Sequence, residues 1–261
     1  MTNLLVFLVC FAASVVGAIC GIGGGVIIKP ALDAFGIMDV ATISFLSGCT
    51  VLSMTSYSVL RSRKSGSSSF DKSIGLPLAL GAALGGVLGK QLFDMVKNLS
   101  ADPNRVGAIQ AFFLLIVTLG TLLYTIFKEK IPTQRIKNKA VCLLIGLGLG
   151  LLSAFLGIGG GPINLVLLFW CFSMKTKTAA ETSLYIIFFS QLASLAASIL
   201  GGNVPSFSPF MLLLMAGGGI CGGICGRGIN KKIDGKTVDK LFIGLMVLMI
   251  FINLYNIFHL L

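Results

Sequence analysis

The sequence predicts an all-α polytopic membrane protein built of two inverted repeats, each with a glycine-broken first helix followed by three further spans. Three observations predict it. Of the 261 residues, 56% are hydrophobic and 11% charged, whereas a soluble domain averages about 25% charged. The string Gly21-Ile22-Gly23-Gly24-Gly25 returns letter for letter as Gly157-Ile158-Gly159-Gly160-Gly161, each time inside sequence that would otherwise read as one membrane helix. Finally, loops at equivalent places in the two halves differ in charge, as they do when equivalent loops lie on opposite sides of a membrane.

Apolar spans are expected at about 4–20, 41–60, 74–96, 106–127, 140–156, 179–200, 209–229 and 238–259, each near the roughly 20 residues that cross a bilayer. Two shorter apolar pieces follow the glycine strings, at about 24–37 and 160–174. At roughly 14 residues each, they suit half-helices or re-entrant arms. The block from Leu4 to Ile19 has the hydrophobicity of a secretory signal, but it lacks a basic leading region and belongs to the first repeat, so it reads as mature protein.

The duplication extends beyond the strings. Gly85-Gly86-Val87-Leu88-Gly89-Lys90 matches Gly222-Gly223-Ile224-Cys225-Gly226-Arg227, with the same spacing and a basic residue closing each. Tyr124 with Phe127 matches Tyr255 with Phe258. The repeats are therefore 1–130 and 131–261 within one integral membrane domain, the second opening on a basic linker around Pro132.

Loop charge orients them. Arg61, Arg63, Lys64 and Lys72 outweigh Asp71, which marks that loop cytoplasmic, whereas the equivalent Gly201–Pro209 loop carries no charge. The next pair reverses: Asp94, Lys97, Asp102 and Arg105 balance, while Arg227, Lys231, Lys232, Lys236 and Lys240 outweigh Asp234 and Asp239. With the basic linker Lys128–Lys139 also cytoplasmic, block 138–200 must be three spans or a re-entrant hairpin plus one span, bent at Gly157–Gly161. The same logic puts both termini outside. The rival topology is eight plain spans in parallel repeats, which requires the equivalent loops to share a side.

Several function classes are excluded or weakened. The net charge of +11 resides in short loops between spans, a positive-inside pattern rather than a nucleic-acid-binding face. The seven cysteines form no CxxC pair and have no histidine nearby, so no metal site or disulfide framework is indicated and free thiols are expected. Cys221 and Cys225 share a helix face at i,i+4, within a Gly-rich packing run. His259 is the only histidine, HExxH and a membrane Asp pair are absent, and aspartate is read as absent from the span interiors. The chain thus reads as a non-enzyme without a cofactor, and the absence of a Walker motif excludes a self-contained ATP-driven pump.

A duplicated, glycine-broken membrane segment is the best sequence pointer to a transporter's binding site. Broken backbone survives in hydrocarbon only where it is buried or lines a cavity. Glycine adopts positive φ and leaves the backbone open to a ligand, and the first turn of the following helix offers free N–H groups and a positive dipole end. Gly23, Gly24, Gly25 and Gly159, Gly160, Gly161 are therefore candidate anion-binding residues, the two tips converging near the midplane. The competing reading is close helix packing, which is favoured for Gly81, Gly85, Gly89 and Gly218, Gly222, Gly226 at four-residue spacing. On this basis Gly24→Leu or Gly160→Leu is expected to abolish transport, and Gly85→Ala to be mild. Neither string is a nucleotide motif, since Val26 and Pro162 stand where a sixth-position glycine is needed.

Polar residues within the spans complete the candidate set. Asn164 lies in the first turn after the second string, and Pro162 suits an early helical position. Lys29 is either an anion partner or a snorkelling cation; Leu165 stands in its place in the second half. Ser44, Ser47 and Thr50 answer Thr182, Ser183 and Gln191, with interhelical hydrogen bonding as the alternative role for each. Glu181 is the acid near this region, and is either a proton carrier or a carboxylate favoured near the start of its helix.

At these residues the chain resembles the TauE/SafE family of membrane permeases, also called the sulfite-exporter or TSUP family. The resemblance rests on the two GIGGG strings, on Pro30-Ala31-Leu32 after the first, and on Ala180-Glu181-Thr182-Ser183-Leu184 after the second. The first half departs from the pattern at Ala41-Thr42-Ile43-Ser44, where the threonine–serine pair is not intact. Membership implies a secondary transporter for a small sulfur-containing anion, sulfite- or sulfonate-like, in the cytoplasmic (inner) membrane. The implied partners are that anion and the lipid bilayer, with homo-oligomerisation left open. A passive anion channel and a non-transporting scaffold are the rivals.

Overall fold

The computed structural model describes residues 2–64, 71–99 and 103–260. Within them every regular element is an α-helix, ten in all. They are α1 (Thr2–Cys20), α2 (Gly25–Phe35), α3 (Val40–Lys64), α4 (Lys72–Leu99) and α5 (Pro103–Phe127), then α6 (Lys139–Phe155), α7 (Pro162–Phe172), α8 (Thr176–Leu200), α9 (Pro209–Lys232) and α10 (Gly235–Leu260). Seven are long and apolar enough to cross a membrane. The exceptions are α6, with 17 residues, and the two 11-residue helices α2 and α7 that follow the glycine strings. Asp102 and loop 65–70 lie outside the described residues, as do the side chains of Arg63, Lys64 and Lys72.

Local chemistry sets the helix ends. Asp39 accepts hydrogen bonds from the Ala41 and Thr42 backbone N–H groups ahead of α3, and Asp71 from the Ser73 N–H and hydroxyl ahead of α4. Asp234 plays this part for α10 through Thr237, and Asn138 for α6 through the Ala140 N–H. Each satisfies donors that a helix start leaves orphaned. Pro162 and Pro209 open α7 and α9, where no N–H is missed. The linker runs past the end of α7, where the Gln134 and Ile136 N–H groups donate to the Trp170 and Cys171 carbonyls.

The long helices pack through glycine. On α4, Gly81, Gly85 and Gly89 face Leu143, Leu147 and Leu151 of α6 in order, so the two helices run in the same direction. The opposite side of α4 presents Leu76, Leu80, Leu84, Leu88 and Leu92 outward, as a lipid-facing stripe should. Gly218, Gly222 and Gly226 of α9 meet Phe7, Phe11 and Val15 of α1 in the same parallel manner. Both glycine rows therefore act as packing surfaces. The expectation that Gly85→Ala is mild does not survive: its Cβ would lie 2.0 Å from the Leu147 carbonyl oxygen, a backbone atom with no rotamer by which to move away.

The first and fourth helices of each half are thus exchanged, α4 packing on α6 and α9 on α1. The second tier repeats the exchange, with α4 on α8 and α9 on α3, while α5 packs on α10 and α3 on α8. Gly219 and Gly223 meet Thr50 and Met54, making α9 and α3 parallel, whereas Gly48 lies at Gln191 and Ser62 bonds to Glu181, making α3 and α8 antiparallel. At the first glycine string the chain reverses: Gly24 lies against Ser14, and Ile28 and Leu32 share a core cluster with Val6, Cys10 and Ala13.

Candidate functional site

The two glycine strings meet. A Cβ on Gly25 would lie 2.0 Å from the Ile158 carbonyl oxygen, and one on Gly160 3.0 Å from that of Ile22. Gly21, Gly23, Gly157, Gly159 and Gly160 all have φ between 66° and 148°, a region that disfavours side-chain-bearing residues. Gly24 and Gly161 precede α2 and α7 in right-handed and extended conformations; Gly24 is glycine for space, since a Cβ there would sit 2.8 Å from the Ser14 hydroxyl, whereas one on Gly161 would meet nothing closer than 3.4 Å. Val51 of α3 and Ile187 of α8 pack onto the junction from either side, both fully buried. The strings thus meet in close backbone contact.

The candidate polar side chains do not gather at one point. On one side of the junction, Asn164 Nδ2 donates to Ser183 Oγ at 3.4 Å, and Thr182 is buried beside Ser183 on α8. On the other side, Ser44 and Gln191 line a narrow cleft, and the Ser44 hydroxyl would lie 2.7 Å from a Cβ on Gly157. Ser47 is fully buried on α3. The hydroxyls also divide by partner. Thr50 bonds back to the Leu46 carbonyl, as Ser53, Thr55, Ser56 and Ser58 do to carbonyls one turn earlier, the usual sink for a helical hydroxyl. The Oγ atoms of Ser14, Ser44 and Ser47, Thr182 Oγ1 and Asn164 Oδ1 are buried without a partner among the described residues. Of these, Ser14 lies against Gly24, Ser44 against Gly157 and Asn164 beside Gly160 and Gly161; buried polar atoms are nearly always bonded, so a polar ligand would satisfy them.

Lys29 is buried and its Nζ lies 2.6 Å from Asp33 Oδ2, one turn along α2. Asp33 overturns the reading that aspartate is absent from the span interiors; a single acid in a short apolar piece carried no signal until its cation was found beside it. The pair lies near the second string, with Lys29 Cε 3.2 Å from where a Gly157 Cβ would stand.

Two cavities flank the junction. The wider, about 250 Å³, is lined by the charged residues Lys177, Glu181, Arg227 and Lys231 together with Ala18, Ser58, Ala180, Leu184 and Asn230. Arg227 donates to the Ser58 carbonyl and Asn230 Nδ2 donates to the Ile19 carbonyl at 2.5 Å, near the end of α1 where helix carbonyls lack intrahelical donors. Arg227 Nε is buried without a partner among the described residues. The narrower cleft, about 20 Å³, holds Ser44, Gly48 and Gln191 beside Lys90 and Phe93. Lys90 is paired with Asp94 at 2.9 Å. Neither cation was singled out from sequence, although the basic residue closing each matched glycine run was the available signal. Among the described residues no cluster could hold a metal ion, and all seven cysteines are free thiols.

Comparison with known proteins identifies the lineage. The family described as sulfite exporter TauE/SafE matches residues 6–252. The chain belongs to this family. It is also similar to the probable membrane transporter protein YunE of Bacillus subtilis (strain 168), with 23% identity over 257 residues, covering 87% of this chain and 88% of that one. No solved structure gives a significant match. As a TauE/SafE protein the chain is a multi-pass membrane transporter. The resemblance read from the GIGGG strings is borne out.

Proposed function

We propose that this TauE/SafE protein is a secondary transporter that moves a small sulfur-containing anion, sulfite- or sulfonate-like, across the cytoplasmic membrane by alternating access. The observation that carries the reading is the junction of the two glycine strings, one from each half, with the unpartnered buried Ser14 and Ser44 hydroxyls and the Asn164 amide oxygen beside it. When the halves move apart there, backbone N–H groups of the α2 and α7 first turns and these side chains can hold an oxyanion without a buried arginine. Gly23, Gly24, Gly25, Gly159, Gly160, Gly161, Asn164, Ser44, Ser47, Thr182, Ser183 and Gln191 are the proposed contacts. Lys29, with Asp33 already beside it, acts as a paired charge close to them.

The proposed architecture is two inverted repeats, 1–130 and 131–261, each opening with a re-entrant hairpin of α1 with α2 and of α6 with α7. The exchanged packing of the halves supports it, since α4 on α6 and α9 on α1 interconvert under a two-fold axis, as do α4 on α8 and α9 on α3. So does the parallel run of α1, α9 and α3, which requires α2 to bring the chain back before α3 begins. The end of the molecule carrying Arg227, Lys231 and the basic linker is then cytoplasmic, and both termini lie outside. The close backbone contact of the strings favours a carrier over a passive anion channel.

The test is flux in proteoliposomes with radiolabelled sulfite and unlabelled sulfite, sulfoacetate, taurine and sulfate as competitors. Saturable flux blocked by a sulfur oxyanion is the expected result. Flux that never saturates would make the protein a channel, and no flux from folded protein would leave a scaffold.

A further inference from the structure

The two cavities are one site seen twice. The spacing that carries Gly21 onto Gly157 also carries Ala18 onto Ala154 and Ser58 onto Ser194, and relates Ser44 and Gly48 to Ala180 and Leu184. The first of each pair and its counterpart line opposite cavities throughout. One residue more, as between Gly85 and Gly222, carries Lys90 onto Arg227 and Phe93 onto Asn230, again across the two cavities. The floors match as well. Gly21 presses on Ala180 beneath the wide cavity, and Gly157 presses on Ser44 beneath the narrow cleft.

The pair differs in size and charge. About 20 Å³ accommodates roughly one water, whereas about 250 Å³ admits a small hydrated anion. In the narrow cleft Lys90 is neutralised by Asp94 and lies 4.6 Å from the centre of the Phe93 ring. In the wide cavity the position equivalent to Asp94 is Lys231, so Arg227 stands with Lys177 and Lys231 against the one carboxylate of Glu181, which accepts from the Ser62 hydroxyl. The Arg227 guanidinium has five donors, of which one serves the Ser58 carbonyl and the Nε is unpartnered.

We infer that these cavities are the two vestibules of one anion pathway, with Arg227 as the anion-binding residue of the open vestibule and Lys90 as its counterpart in the closed one. This rests on the anion-transport reading above. The conformation described is open at the Arg227 face. An oxyanion waits on Arg227 beside Asn230, passes Gly21 and Ala180 when they part, and leaves past Gly157, Ser44 and Lys90. Lys90 becomes available to it only when the cleft widens and the Asp94 contact loosens.

Two measurements test this. In oriented proteoliposomes, Arg227→Gln raises KM for labelled sulfite at its own face by about tenfold or more, the worth of a charge-assisted hydrogen bond, and much less at the other face. Lys90→Gln gives the reverse asymmetry, and Arg227→Lys recovers most of the loss. Equal effects on both faces, or none, in protein whose parent transports sulfite would overturn the assignment. The second measurement needs no flux. With the native cysteines replaced, Ser58→Cys is expected to react with a membrane-impermeant thiol reagent about tenfold faster than Ser194→Cys, since only the first vestibule admits more than about one water. Equal rates would overturn the vestibule pair whatever the substrate proves to be, whereas a parent inert towards every anion but with unequal rates would remove the transport reading alone.

Discussion

Replacing Gly85 by alanine tests the packing logic most directly. An added methyl would stand 2.0 Å from the Leu147 carbonyl oxygen and 2.8 Å from the Leu151 nitrogen. Real Cβ atoms essentially never come within 3.0 Å of such atoms, so α4 and α6 must separate by about 1 Å. Both offending atoms are backbone, so no side-chain rotation relieves the clash, and the neighbouring contacts of Gly81 and Gly89 with Leu143 and Leu151 are strained by the same displacement. Overpacking of this kind costs about 1–3 kcal/mol. Alanine also gains about 1 kcal/mol of helix propensity over glycine, which masks part of that cost. Gly120 supplies the reference, because a methyl there meets nothing within 4 Å. The difference between Gly85→Ala and Gly120→Ala therefore isolates the steric cost at about 1–3 kcal/mol. Unfolding in mixed detergent micelles, followed through Trp170, the one tryptophan, measures it. A Gly85→Ala protein as stable as Gly120→Ala would refute the claim that this row sets the spacing of α4 and α6.

Three further perturbations have defined outcomes. Lys29→Leu or Asp33→Phe alone leaves an uncompensated buried charge and destabilises by about 3–5 kcal/mol, whereas the double variant, which copies Leu165 and Phe169 of the second half, regains most of the loss in the same unfolding assay; a double variant no better than the singles would show that the pair is not what couples them. Gly160→Leu is expected to abolish sulfite flux while leaving membrane insertion intact, since φ is 148° and a Cβ would lie 2.4 Å from Ile187 Cδ1; Gly24→Leu, blocked by Ser14, behaves alike, and normal flux in both would sink the site assignment. Asp39 is raised by partial burial but held below the usual carboxylate range by the stronger sum of hydrogen bonds from Thr42 and Ala41. Its folded pKa lies below the unfolded one, so its contribution is complete above about pH 4 and disappears as pH falls through the folded value. Asp39→Ala thus costs about 1 kcal/mol at neutral pH and clearly less in acid; an equal cost at pH 7 and pH 2.5 would contradict the capping role.

What was legible in the sequence follows from what hydrocarbon demands of a backbone. The apolar blocks became α1, α3–α6 and α8–α10, and the short pieces after the strings became α2 and α7. A helix is the local solution that satisfies every peptide group without a partner segment, so its extent can be read from composition alone. The GIGGG repeats could be read as breaks for the same reason, and the four-residue glycine rows as packing faces. Asp33 escaped notice because one acid in an apolar run carries no period, and Lys29 and Asp33 make sense only together, one turn apart and both buried.

The sequence by itself determined the helices, their glycine interruptions and the family. Only the tertiary structure decided that the strings touch, that Ser44 with Gln191 and Asn164 with Ser183 fall on opposite sides of them, and that Arg227 and Lys90 line separate cavities of unequal size. Those facts depend on which helix lies against which across the two halves. Such contacts are set by the fit of backbone into glycine grooves between segments distant in the chain, and no local spacing encodes them.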